Sequence, residues 1–171
     1  MSLRGEALGI VSELGLLGTL GRHGRAELVG SVALDLMVKL DIDVHLLVEG
    51  CDLYSVVNQT YPELLRHPKI DEVRITDYKD GSVKIGIDRY PSASGIWSID
   101  LYITNQPEKT AFSYVNELRG RLDEETRSAI MDIKRHYYGR GMLRDGLSHR
   151  IYEAVIRRGA RTVADFQKLS P

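Results

Sequence analysis

The chain carries a single cysteine, Cys51, so no internal disulfide can form and a cysteine-based zinc cluster is out of reach. It lacks a charge excess of either sign. Its 23 Lys and Arg stand against 24 Asp and Glu, and a formal net charge of −1 argues against wholesale electrostatic binding to nucleic acid. No apolar run is long enough to span a membrane. Residues 5–20 are apolar but have neither a positively charged leader nor a clear cleavage site, so no signal peptide is read and a cytoplasmic location is expected. On that expectation Asn58-Gln59-Thr60 has the letters of a glycosylation acceptor by chance. Internal repeats and low-complexity segments are absent. What is left is an ordinary globular composition, 43% hydrophobic and 27% charged over 171 residues, enough for one domain with a proper core and a small helical appendage.

The informative stretch runs from Val29 to Val48. A strand ending Glu27-Leu28-Val29 stops at Gly30-Ser31, where a glycine allows a tight turn and leaves amide N–H groups unobstructed. Residues 32–39 read as a short helix with Ser31 as its cap, and a helix start behind a bare glycine suits a phosphate. Nine residues after Ser31 the chain re-enters the sheet as Asp41-Ile42-Asp43-Val44-His45-Leu46. Alternation puts Asp41, Asp43 and His45 on one face and Ile42, Val44 and Leu46 in the core. Two carboxylates beside a phosphate-sized turn suggest a divalent metal site for a polyphosphate. His45 shares their face but lies about 6 to 7 Å beyond Asp43, which favours a supporting or structural role over direct ligation.

The order hydrophobic-Gly-Ser, a gap of nine, then Asp-hydrophobic-Asp-hydrophobic resembles the signature of the nucleotidyltransferase superfamily that includes DNA polymerase beta. Within it the small bacterial aminoglycoside and lincosamide nucleotidyltransferases look nearest. The resemblance covers roughly residues 25–105. It implies that Gly30 and Ser31 hold a nucleoside triphosphate, ATP by expectation, and that Asp41 and Asp43 ligate magnesium, two ions being expected. It also implies a third carboxylate on a neighbouring strand, for which Asp100 is the well-placed candidate and Asp88 the reserve. Small relatives often build the site across a dimer, so a homodimer is open, although nothing in the sequence shows the interface.

The rest of the chain is read around that stretch. Leu8, Val11, Ile10, Leu14 and Leu17 give helical spacing over residues 6–20, weakened by Gly9, Gly15 and Gly18. Residues 20–24 form a loop into the first strand, and Arg22, His23 and Arg25 could reach an anion. Asp52 caps a helix with Leu53, Val56, Val57, Tyr61, Leu64 and Leu65 on one side, interrupted or kinked at Pro62. Strands follow at residues 73–78, 82–90 and 96–103, the first two joined by a turn at Lys79-Asp80-Gly81. In the last of them Ser98, Asp100 and Tyr102 share a face, and Trp97, Ile99, Leu101 and Ile103 the other. From Pro107 the chain turns helical. Asp123-Glu124-Glu125 opens one helix, Gly159 closes another, and Thr162 with Asp165 makes a capping box for the last.

Residues 134–161 carry eight basic side chains against Asp145 and Glu153, and such cations could complement a triphosphate. Lys134 and Arg135, mid-helix, are the first candidates. The expectation is therefore an α/β (α+β) protein: a small mixed sheet bearing three aspartates in a nucleotidyltransferase-like core over residues 1–106, with a C-terminal helical extension over 107–171. Its expected work is transfer of a nucleoside monophosphate from an NTP to a hydroxyl-bearing acceptor that the sequence does not name. A non-catalytic partner of the same fold, antitoxin-like or a nucleotide sensor, is the alternative, because no large separate acceptor domain is visible.

Overall fold

A computed structural model describes residues 2–144 and 146–169, so Asp145, counted above among the acids of the basic tail, lies outside the described residues. Contacts divide the chain into two units: residues up to Asp35 with Leu40–Val115, and Leu36–Lys39 with the chain from Asn116 onward.

The first unit opens with α1 (Leu3–Glu13) and α2 (Leu16–Gly21), where one continuous helix was expected. The break falls at Gly15, whose φ of +59° suits glycine and turns the chain before the second helix starts. Ile10 and Val11 are buried, whereas Leu8 and Leu17 reach solvent, so the apolar stripe is narrower than its letters suggest. Then come β1 (Gly24–Val29), α3 (Gly30–Leu34), β2 (Asp41–Val48) and α4 (Leu53–Leu65). The helix α3 starts two residues early and stops at Leu34, because Asp35 turns left-handed at φ +56°. Ser31 is accordingly inside the first turn and is not its cap. Asp52 does cap α4, accepting from the Ser55 N–H at 2.8 Å, and the helix carries Pro62 internally. Its buried face holds Leu53, Val56, Val57, Thr60 and Leu64, while Leu65 lies exposed.

The sheet is completed by β3 (Arg74–Asp77), β4 (Ser82–Ser92) and β5 (Gly95–Thr104). The strand order is β1-β2-β5-β4-β3; β2 and β5 run parallel and the other neighbours antiparallel. One face is the core of the unit. Ile42, Val44 and Leu46 from β2, Ile99, Leu101 and Ile103 from β5, and Val83, Ile85 and Ile87 from β4 are all 0–1% exposed. Helix α4 packs against β4 and β5, and α2 against β1. Glu6 on α1 reaches the two-residue turn between β4 and β5, accepting from the Ser94 N–H at 2.9 Å, from the Ser94 hydroxyl, and from the Trp97 indole at 3.2 Å. Those donors, the Ser94 hydroxyl first, hold its carboxyl down at about 2.

The second unit contains most of α5 (Phe112–Arg121) and then α6 (Glu124–Tyr138), α7 (Leu147–Arg158) and α8 (Val163–Leu169). Its helix ends follow the sequence signals. Asp123 and Thr126 make a reciprocal capping box on α6. Gly159 closes α7 at φ +72°, and Asp165 with Thr162 caps α8. None of the helices among the described residues is long and apolar enough to cross a membrane.

Candidate active site

Parallel pairing of β2 with β5 sets Asp41 beside Ser98, Asp43 beside Asp100, and His45 beside Tyr102. Paired strands lie about 4.8 Å apart, so Asp43 and Asp100 are neighbours on the face opposite the core. Asp41 is one strand repeat along the same face, half-buried like the other two.

Each member of the central pair overlies a glycine. Gly30, at φ +60°, is so near Asp43 that a Cβ there would fall 2.6 Å from its Oδ2. Gly86 is the β4 partner of Asp100, and a Cβ there would meet Oδ1 at 3.3 Å. The sequence therefore keeps two positions bare where carboxylates come down on the backbone. Next to Gly30 in the chain, the Ser31 hydroxyl oxygen is buried without a hydrogen-bond partner in the protein, which leaves it capacity for a water or a ligand.

Asp100 has a partner that the sequence reading did not assign. Lys84 on β4 donates from Nζ to Oδ2 at 3.1 Å, with both side chains about one-third exposed (32%). Burial works against the Lys84 ammonium, but the hydrogen bond and charge of Asp100 outweigh it and raise its pKa. Alternation of Lys84 and Gly86 with the buried Val83, Ile85 and Ile87 is the one signal that could have found this residue. Asp88, the reserve acid, is held instead by Arg74 at 2.8 Å.

His45 is structural here. Its Nδ1 accepts from the Ala111 N–H at 3.1 Å, its ring lies 4.9 Å from that of Tyr102, and burial pushes its pKa down to about 4. Of the loop cations, Arg22 is drawn to Glu63 at 2.9 Å, and Arg25 to Glu27 at 2.6 Å while stacking on Phe112.

Lys134 and Arg135 belong to the second unit. Lys134 is 2% exposed and donates from Nζ to the Leu36 carbonyl at 2.5 Å and to the Tyr152 hydroxyl at 3.1 Å. Lys134, expected to complement a triphosphate, is buried and clasps the Leu36–Lys39 segment, because the stripe with Ile130, Ile133 and Tyr137 carries it inward. Arg135 lies exposed and pairs with Asp132 at 3.3 Å. Much of the remaining basic tail is also spent locally: Arg157 on Glu117 and Glu153, Arg161 on Glu125, Arg158 on the Leu169 carbonyl.

The donor set suits a hard divalent cation, since it is all oxygen and half-exposed. Among the described residues no three Asp, Glu, His or Cys side chains converge tightly enough to hold an ion by themselves. That is compatible with magnesium, which takes one or two protein carboxylates and completes its shell with water and substrate phosphates.

The mixed sheet, with acids on a parallel strand pair, is a fold that this chain shares with solved structures of known proteins. A cytoplasmic RNA terminal U-transferase superposes with a TM-score of 0.65 at 17% identity, over 89% of this chain and 47% of that one. A variant of the Cid1 poly(U) polymerase bound to MgATP gives 0.67 at 15% identity, over 90% and 49%. GLD-2 in its complex with RNP-8 gives 0.63 at 15% identity, over 90% and 57%. The chain therefore spans about half the length of the solved structures it matches, and at these identities the likeness is one of fold. No family model and no curated protein matches the sequence.

Proposed function

We propose that this chain carries the catalytic face of a metal-dependent nucleotidyltransferase, moving a nucleoside monophosphate from an NTP to a hydroxyl. The single observation that carries this reading is the in-register pair Asp43 and Asp100, with Asp41 one repeat away and Gly30 packed against Asp43. Asp41, Asp43 and Asp100 would hold magnesium, which when bound supplies charge neutralisation at the reacting phosphate and leaving pyrophosphate. Gly30 and Ser31 would hold the outer phosphates, and the buried Ser31 hydroxyl has hydrogen-bonding capacity to give them. A carboxylate, Asp100 by preference, accepts the proton of the attacking hydroxyl. The new O–P bond forms at the α-phosphate as its bond to the β-phosphate oxygen breaks, and pyrophosphate leaves.

The acceptor we favour is the 3′-hydroxyl of an RNA end. Its support is the fold shared with a cytoplasmic RNA terminal U-transferase and the Cid1 poly(U) polymerase, some of whose structures hold MgATP or MgGTP. An antibiotic hydroxyl rests on the sequence motif alone. A non-catalytic nucleotide-binding reading is favoured by one observation, the Lys84 ammonium already seated on Asp100. Incubation with each labelled NTP, magnesium and a single-stranded RNA decides between them. Label in the RNA that is lost in both Asp41→Asn and Asp43→Asn supports the transferase, while tight nucleotide binding with no transfer to any acceptor supports the second reading.

A further inference from the structure

On the open face of the sheet, Asp100 holds a cation of its own: Oδ2 takes the Lys84 ammonium, while Oδ1 lies over the bare backbone of Gly86. The strand register explains why. Lys84 pairs with Tyr102, and Gly86 with Asp100, so Lys84 is the diagonal cross-strand neighbour of the acid. The absence of a side chain at Gly86 clears the path between them. The neighbouring acid, Asp88, has its own cation in Arg74, so Lys84 is not needed there. Directly across the parallel pair stands Asp43, and two carboxylates at strand spacing repel unless a cation sits among them.

We infer that Lys84 is a stand-in cation: its ammonium neutralises Asp100 while no divalent ion is bound, and it competes with a divalent ion for that carboxylate. The inference rests on the metal reading above and adds a positioning residue to it. Lysine suits the task. It is a compact point charge on a flexible stem, and at one-third exposure it can swing into water without disturbing the core. An arginine in a two-pronged clasp would be harder to dislodge. The consequence is competition. A divalent ion that recruits Asp100 competes with the ammonium for its charge, so Lys84 weakens metal binding while offsetting the repulsion between Asp100 and Asp43 in the metal-free protein.

The test is manganese binding to the full chain, read by electron paramagnetic resonance, with Mn²⁺ standing in for Mg²⁺. Lys84→Met should bind Mn²⁺ about two- to fivefold more tightly than wild type, the range expected for removing a competing ion pair at this exposure. Lys84→Arg, which keeps the charge, should bind no more tightly than wild type. In an Asp100→Asn background the gain from Lys84→Met should vanish, because the lysine then has no carboxylate to withhold. Thermal melts check that each variant is folded, and Lys84→Gln serves if the methionine variant is not. Equal or weaker Mn²⁺ binding by Lys84→Met, or a gain that persists without Asp100, overturns the inference. Asp43→Asn tells the two failures apart. If it loses Mn²⁺ binding while Lys84→Met gains none, only the stand-in role falls. If wild type binds no Mn²⁺, or Asp43→Asn binds it equally well, the metal reading falls and takes this inference with it.

Discussion

Replacing Gly30 with alanine asks whether the turn is only a turn or also a seat for Asp43. Two costs are built into the position. At φ +60° an L-residue occupies the left-handed region, which costs roughly 1–2 kcal/mol. The new methyl would also stand 2.6 Å from Asp43 Oδ2, so that carboxylate must rotate away, costing about 0.5–1.5 kcal/mol if it leaves its rotamer well. Gly15 provides the control. Its φ is +59°, yet a Cβ there would meet nothing within 4 Å, so Gly15→Ala carries the backbone cost alone. In chelator Gly15→Ala should melt lower by roughly 2–8 °C, and Gly30→Ala by a few degrees more. The decisive difference is in metal binding. Gly30→Ala should lose at least about tenfold in Mn²⁺ affinity, about 1.4 kcal/mol, while Gly15→Ala keeps it. Should Gly30→Ala bind Mn²⁺ as wild type does and melt with Gly15→Ala, then Asp43 is not held where the turn puts it, and the argument from the paired glycines is wrong.

Three further outcomes follow from the same contacts. Glu6 has its pKa lowered to about 2 from an ordinary 4.5, so its stabilising contribution is full above pH 4.5 and is lost as pH falls toward 2; Glu6→Gln should melt lower at pH 7, and melts in a pH series should show the gap to wild type closing across that window, with a constant gap refuting the clasp. Lys134→Met leaves the buried Leu36 carbonyl without its donor and should destabilise by about 1–3 kcal/mol in denaturant titrations; an unaltered midpoint with nucleotide binding abolished would show that the ammonium serves a ligand after all. Asp100→Asn breaks a one-third-exposed pair, so its loss of stability in chelator should stay below about 1 kcal/mol, and a much larger drop in melting temperature would mean that the pair is a structural anchor.

Local signals were legible wherever a residue type has one strongly preferred place. Asp52, Asp123 and Thr162 cap helices where their letters stand before apolar stripes, and Gly159 ends one where a left-handed residue is required. The strict alternation of β2 fixed which face carries Asp41 and Asp43, since a one-residue slip would bury both acids. The boundaries of α3 were not legible, because its end depends on Asp35 adopting a left-handed conformation that is uncommon for any residue but glycine. The split between α1 and α2 needed a choice among Gly9, Gly15 and Gly18, and only Gly15 has positive φ.

The site divides along the same line, between what a strand says about itself and what its neighbours impose. That Asp100 lies on the face opposite Ile99 and Leu101 follows from its own strand. That Asp100 stands beside Asp43, over Gly86 and within reach of Lys84 follows from register with two other strands, one parallel and one antiparallel, which the order of letters does not state. The burial of Lys134 was illegible for a related reason. A lysine among mid-helix charges reads as a solvated cation, but it shares its helix face with Ile130, Ile133 and Tyr137, and that face is buried. Once buried it needs acceptors, and it finds the Leu36 carbonyl in the segment that leads from the Gly30-Ser31 turn toward the Asp41 strand. Both lysines were written in the sequence as charge; only packing decides that one neutralises an acid of the candidate site and the other ties down a loop.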